Sequence, residues 1–325
     1  MPLFFLPRNK RMAERTVNIS RDSGDDIMCK ELFLQDTLTT YTMRFLPEQP
    51  ANYKPCGDNP ETGLKVLSGV FLGSCMTSDS MAKKSWEQKR AAKCNASSVY
   101  ALATWMALKE LKRKNAPIDV LPDICSQTIK KCVKKYNVPC DNAFGFDSAL
   151  AVGGCVAGAF SDDPKEVIRM AAMSSYHPSW HPEGMRGSIV SAVCVWMALH
   201  QATIEEITQY ACNHYGKDTA PVEYCFSHGR ITVDMTMDDL LGTPSYQLTD
   251  NSCIIVVPEA LFNLIHSDRF TSAIRTAQTY PCDKQSVPSL TGALAGALYN
   301  DELTFEVKGA GTFKAACNGD ATSLD

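Results

Sequence analysis

The sequence predicts an all-α protein, a compact orthogonal helical bundle with short strand-like additions at its two ends. Composition is the first reason: 325 residues, 45% hydrophobic and 21% charged, supply enough apolar material for a large core without staples. The second is periodicity. Apolar residues recur at spacings of three and four, the period of a helix face, most clearly at Val99, Leu102, Ala103, Met106, Ala107 and Leu111. The third is the recurrence of helix-start signals, acidic or hydroxyl caps and first-turn prolines, along the rest of the chain. No internal repeat or low-complexity tract appears. The economical organisation is an irregular arm over residues 1–62, one helical domain over 63–300, and a strand with a loose tail over 301–325.

The arm is rich in Arg, Asp, Thr and Pro and holds one strand-like run, TYTMRFL at 40–46, before a turn-rich stretch that ends at Gly63. Helical patterns dominate from Leu64, and the clearest helix starts at Ser97 and Ser98 with one face in the core. Further helices are expected over 123–136, over 163–173 opening on Asp-Asp-Pro, and over 187–200. Thr203 starts another, its hydroxyl capping the helix while Glu206 completes a capping box. Pro258 stands as a first-turn proline ahead of a helix over 259–266, and Asp268 caps a segment reaching Gln278. Residues 287–299 close the body. The pattern weakens between 225 and 246 into a short strand at 230–235 and loops, and 303–308 reads as the C-terminal strand. The run GGCVAG at 153–158 reads as close helix packing.

A formal net charge of -4 supplies no broad attraction to a polyanion, so no nucleic-acid partner is expected. The longest basic cluster, Lys109 to Lys114, reads as a solvated helix end. The 14 cysteines are scattered from Cys29 to Cys317 without paired short spacings, which fits reduced thiols in an intracellular, cytoplasmic or cytoskeleton-associated protein. The mix of Leu3, Phe4, Phe5 and Leu6 with Arg8, Lys10, Arg11 and Arg15 resembles a mitochondrial presequence, the competing address. No apolar run approaches the roughly 18 residues of a membrane span. Cys212 and His214 with Cys225 and His228 hold the right atoms for tetrahedral zinc at poor spacing, and scattered core cysteines with surface histidines are the favoured reading. His177 and His181 are four apart but enclose Pro178, against a helical zinc-hydrolase motif. No GxSxG elbow, phosphate loop or Rossmann fingerprint occurs.

Three stretches, taken in order, resemble the ADP-ribosylglycohydrolase family, whose members include enzymes that remove ADP-ribose from protein side chains and the J-type lens crystallins. They are SYHPSWHPEGMRGSIVSAVCVWM at 175–197, VPEALFNLIHSDRFTSAIRTA at 257–277, and TGALAGALY at 291–299. With GVFLG at 69–73 and the segment 205–215, the resemblance covers roughly residues 64–300 and implies the helical fold of that family. Physically, the small residues of TGALAGALY let two helices approach closely, and Pro182 with Gly184 is expected to turn the chain. Each feature alone would mean a tight helical core.

The resemblance also implies where a metal centre belongs. Family members hold two magnesium ions between a Thr-Asp-Asp-Thr cluster and an Asp-x-Asp-Thr cluster, since magnesium demands hard oxygen ligands and carboxylate charge. In register with the first cluster stand Asn95, Ala96, Ser97 and Ser98; with the second, Asp283, Gln285 and Ser286. Asp283 is the one carboxylate left, beside Lys284. The Gly-Asp-x-x-Gly turn reads Gly73, Ser74, Cys75, Met76, Thr77, with Met81 near the position of an acidic residue and Glu87 out of register. The family's diphosphate loop becomes Gly145, Phe146, Asp147, Ser148, Ala149, Leu150, Ala151, where Asp147 would repel a diphosphate and Ala151 replaces an arginine. Ligand-pocket candidates are therefore Gly145, Asp147, Ser148, Ala149, His181 and Glu183.

The expected function is that of a pseudoenzyme, the fold kept as a structural or interaction subunit of a larger assembly, with no cofactor and with protein partners engaged through the arm and tail. Two rival functions remain. One is an active ADP-ribosyl hydrolase of altered mechanism, using Asp283 with Glu183, Glu87 or Asp79 and one magnesium ion or none. The other is a non-catalytic module that binds ADP-ribose or another nucleotide.

Overall fold

The computed structural model describes residues 38–39, 42–57, 60–75, 95–136, 138, 147–176, 182–215, 253–279 and 286–299. The chain divides into two units, residues 1–40 and 41–325. Among the described residues there are helices and no strands, in agreement with the all-α class. The strand-like runs at 230–235 and 303–308 lie outside them.

The helices are α1 (Pro60–Cys75), α2 (Ala96–Lys114), α3 (Leu121–Tyr136), α4 (Asp147–Cys155), α5 (Pro164–Ser174), α6 (Pro182–Leu199), α7 (Ile204–Tyr215), α8 (Cys253–Ile265), α9 (Phe270–Thr279) and α10 (Ser286–Leu298). Short 3-10 turns at Ile118–Val120 and Val156–Ala159 lead into α3 and follow α4. Proline punctuates the starts. Pro60, Pro122, Pro164, Pro182 and Pro288 each fall within the first three residues of a helix, where a missing N–H removes no intrahelical bond. Asp163 caps α5 by accepting from the Lys165 N–H at 2.9 Å, as its Asp-Asp-Pro start predicts.

The periodicity over 97–111 understates α2. Its face Val99, Leu102, Ala103, Ala107 and Leu111 is buried, but so are Tyr100, Ala101, Thr104, Trp105 and Leu108. A helix buried nearly all round is a central one, packed here against α3 and α4. Its last turn is as expected: Lys112, Arg113 and Lys114 are exposed, Glu110 pairs with Arg113 at 2.8 Å and Lys114 at 2.9 Å, and Asn115 ends the helix in the left-handed conformation at φ 48°. Hydrogen bonds from those two cations hold the Glu110 carboxyl down at about 2.

Helix α1 lies directly on α10, and glycine makes that possible. A Cβ at Gly69 would overlap the Gly292 carbonyl oxygen, one at Gly292 would overlap the Gly69 carbonyl oxygen, and one at Gly73 would overlap that of Pro288. The small-residue reading of TGALAGALY is thereby given its partner. The run at 153–158 behaves likewise, with Gly154 against the Ser188 hydroxyl and Gly158 against the Ala192 carbonyl, both on α6.

Four expectations change. The run at 40–46 is helical at Thr42, Met43 and Arg44. No described strand is there to pair with it, and a helical turn satisfies the backbone locally while Phe45 is buried and its carbonyl accepts from the Tyr210 hydroxyl at 2.8 Å. Pro258 lies inside α8, because Val256 and Val257 are buried and extend the helix a turn ahead of the proline. Pro182 and Gly184 open α6 instead of turning the chain, a first-turn proline being compatible with helix. Asp268 stands one residue ahead of the cap of α9: the Ala273 N–H bonds the Arg269 carbonyl at 3.1 Å, and Asp268 accepts from the Ser272 hydroxyl.

The Thr203 capping box forms as the sequence predicts and does more than cap. The Glu206 N–H donates to Thr203 Oγ1 at 3.2 Å, and Glu206 Oε2 accepts from the Thr203 N–H at 2.7 Å. Glu206 Oε1 also accepts from the Ala51 N–H at 3.0 Å, tying the segment before α1 to α7. Backbone hydrogen bonds from Ala51 and Thr203 hold this carboxyl below its usual range. A folded-state pKa below the unfolded value of about 4.3 means stabilisation present above that value and lost as pH falls through the folded one. Glu206→Ala is expected to lower stability by about 1 kcal/mol at neutral pH in urea unfolding, with the deficit closing below about pH 4. An equal deficit at both pH values would show that the charged form contributes nothing.

Candidate functional site

The two segments that the sequence resemblance sets against the family's acidic clusters meet, although Ser97 and Ser286 lie 189 positions apart. Ser97 Oγ, in the first turn of α2, lies 2.8 Å from Ser286 Oγ, the first residue of α10. Both side chains are buried, and the pair is neutral. Asn95 and Ser98 belong to the same turn but are occupied in ending the helix. Asn95 Oδ1 accepts from the Ser98 N–H at 2.9 Å, and Ser98 Oγ accepts from the Asn95 N–H at 3.0 Å, a reciprocal capping box. The helix therefore starts at Ala96, ahead of the expected Ser97, because the Asn95–Ser98 box caps it there. Asp283 and Gln285 lie outside the described residues.

The pocket candidates are not a loop. Asp147, Ser148, Ala149, Leu150 and Ala151 form the start of α4, and Ala149 and Ala151 are buried, so Ala151, expected in place of an arginine, is a packing residue. The apolar pattern Ala149, Val152, Cys155 carries α4 back to Asp147, which is the physical reason a helix replaces the expected loop. Glu183 is in the first turn of α6. Gly145 and His181 lie outside the described residues, as do Asp79, Glu87, His177, Cys225 and His228. Gly73, Ser74 and Cys75, expected in a turn, form the last turn of α1. The His214 ring lies tilted against those of Phe45 at 5.0 Å and Tyr210 at 4.4 Å.

A second cluster has no signature in the sequence. Cys56, Asp162 and His200, from the segment before α1, the turn before α5 and the residue after α6, bring one ligand atom each within 4.8 Å of one another. His200 is buried, its ring stacked on Tyr53 at 5.1 Å and on Trp196 at 4.4 Å. Its Nδ1 is 2.7 Å from the Trp196 carbonyl oxygen and its Nε2 is 2.9 Å from Asp162 Oδ1. Asp162 also accepts from the Cys56 N–H at 3.1 Å and the Gly57 N–H at 3.0 Å. Burial raises the Asp162 carboxyl, but the contact with the His200 ring and the hydrogen bonds from the Gly57 and Cys56 N–H groups outweigh it and hold the group below its usual range. The Cys56 thiol donates to the Leu199 carbonyl at 3.0 Å, and burial with the Asp162 charge raises its pKa.

A family model described as ADP-ribosylglycohydrolase matches residues 73–303, more than half of the chain. The chain belongs to the ADP-ribosylglycohydrolase family. The match spans both the Ser97 turn and the Ser286 helix start. One similar solved structure is an ADP-ribosylglycohydrolase-related protein complex, 13% identical with a TM-score of 0.47, covering 74% of this chain and 86% of that one. No curated protein sequence matches. Among the described residues, no helix of this ADP-ribosylglycohydrolase-family chain is long and apolar enough to cross a membrane.

Proposed function

We propose that the chain is a non-catalytic member of its family, a helical body that serves as a structural or interaction subunit of a larger assembly. The observation that carries this reading is the Ser97–Ser286 pair. Two divalent ions demand clustered negative charge and hard oxygen ligands. At the meeting point of α2 and α10 the described side chains include two neutral hydroxyls in hydrogen-bond contact, with Asn95 and Ser98 committed to capping. These residues do not fit a binuclear magnesium centre, and no chemical step is derived through one.

Partner contacts are assigned to residues 1–40 and 301–325. Residues 45–57, within the same arm, support the body instead, through Phe45 on Tyr210, Ala51 on Glu206 and Cys56 and Gly57 on Asp162.

Calorimetry with ADP-ribose, with and without magnesium, together with release of ADP-ribose from a modified protein, tests the reading. No heat and no release under either condition is the expected result. Heat without release points to the non-catalytic binding module. Magnesium-dependent release abolished by Asp283→Ala would falsify the proposal in favour of an active hydrolase.

A further inference from the structure

We infer that Cys56, Asp162 and His200 form a binding site for a divalent transition-metal ion of the zinc class, which clasps the segment before α1 to the C-terminal end of α6. The ring of His200 sets the argument. A backbone carbonyl can only accept, so the 2.7 Å contact with Trp196 fixes the hydrogen on Nδ1. Nε2 then turns toward Asp162 Oδ1 at 2.9 Å, and in the neutral ring both atoms are acceptors. A positive charge belongs between them, either a proton or a metal ion. Imidazole held by an Nδ1–H bond to a backbone carbonyl, with Nε2 directed at the ligand, is the arrangement by which metal-binding histidines are oriented.

The third donor decides between the two occupants. Cys56 Sγ lies within 4.8 Å of both Nε2 and the carboxylate oxygen, a separation that a single ion at zinc-ligand distances, about 2.0 Å to N and O and about 2.3 Å to S, can span with small side-chain rotations. One sulfur, one nitrogen and one oxygen donor select zinc or cobalt over magnesium or calcium, which require oxygen. The donors also differ in access. His200 is buried, whereas Cys56 and Asp162 are partly exposed, giving the ion an entry path and leaving a fourth position for water. The Cys56 and Gly57 N–H bonds to Asp162 orient its carboxylate from behind, the support that metal-bound carboxylates require. This site shares no residue with the Ser97–Ser286 pair and stands whether or not the family's activity is retained.

Cobalt(II) titration of the full-length chain reads the site directly, because a thiolate on tetrahedral cobalt gives a near-ultraviolet charge-transfer band. We expect one equivalent of cobalt to produce that band, zinc to displace it, and Cys56→Ser to abolish it. Asp162→Asn should weaken binding more than tenfold, a loss at least equal to that from removing an outer-shell support. Zinc should also raise the melting temperature of the wild-type chain but not of Cys56→Ser. A wild-type chain that takes up no cobalt overturns the proposal and leaves a proton between His200 and Asp162. So does a cobalt band that persists undiminished in folded Cys56→Ser, since another of the cysteines would then be the ligand.

Discussion

Gly69→Ala should destabilise the protein by about 3 kcal/mol or more, a fall of roughly 10 °C in melting temperature. The sign runs against propensity. Gly69 lies in the interior of α1, and alanine there would stabilise an isolated helix by about 1 kcal/mol. The new methyl group, however, meets the backbone carbonyl of Gly292 rather than the end of a side chain, and a backbone carbonyl in a hydrogen-bonded helix cannot rotate away. The axes of α1 and α10 must separate, loosening every apolar contact between them. Gly292→Ala should behave alike, because its Cβ would overlap the Gly69 carbonyl from the other side. Once the helices have parted to admit one methyl the second costs less, so the double variant should lose less than the sum of the singles. Thermal and urea unfolding of the three variants measure this. Additive losses, or a stabilised Gly69→Ala, would mean that the interface yields elsewhere.

Ser97→Asp has the second large effect and bears on function as well as stability. The position is buried, its neighbour is the Ser286 hydroxyl, and the family's pattern has an aspartate in the same register. A carboxylate there would be desolvated beside a neutral hydroxyl. We expect a loss of about 3 kcal/mol at neutral pH, with neither magnesium rescue nor gain of hydrolysis. The pH dependence follows from sign. Burial raises the introduced group's folded pKa above the unfolded value of about 3.9, so the variant is least impaired below that value and its deficit grows as pH rises toward the folded pKa. Magnesium rescue of Ser97→Asp would show that the rest of an ion site persists and would sink the non-catalytic reading. Ser286→Ala, which only removes a hydrogen-bond partner, should cost about 1–2 kcal/mol at any pH.

Particular residues show how far the sequence carries. The Thr203 and Glu206 box, the Asp163 cap and the α2 stripe could be read because each signal and its consequence lie within a few residues along one helix. Pro258 misled for a related reason: the local rule places proline in the first turn, but the preceding apolar residues are buried and extend the helix. Of the loop expected over 145–151, residues 147–151 instead begin α4, since burial of Ala149 and Ala151 draws them into the helix.

The sequence alone determined the all-α class, most helix starts, the small-residue seam in TGALAGALY, and that Ala96, Ser97 and Gln285 carry no carboxylate. Only the tertiary structure decided what those features meet: that Gly292 faces Gly69, that Ser97 reaches Ser286, and that Cys56, Asp162 and His200 converge. Capping and periodicity are local and leave a mark at fixed spacing. A contact between residues more than 100 positions apart is set by how helices pack, and packing has no period along the chain.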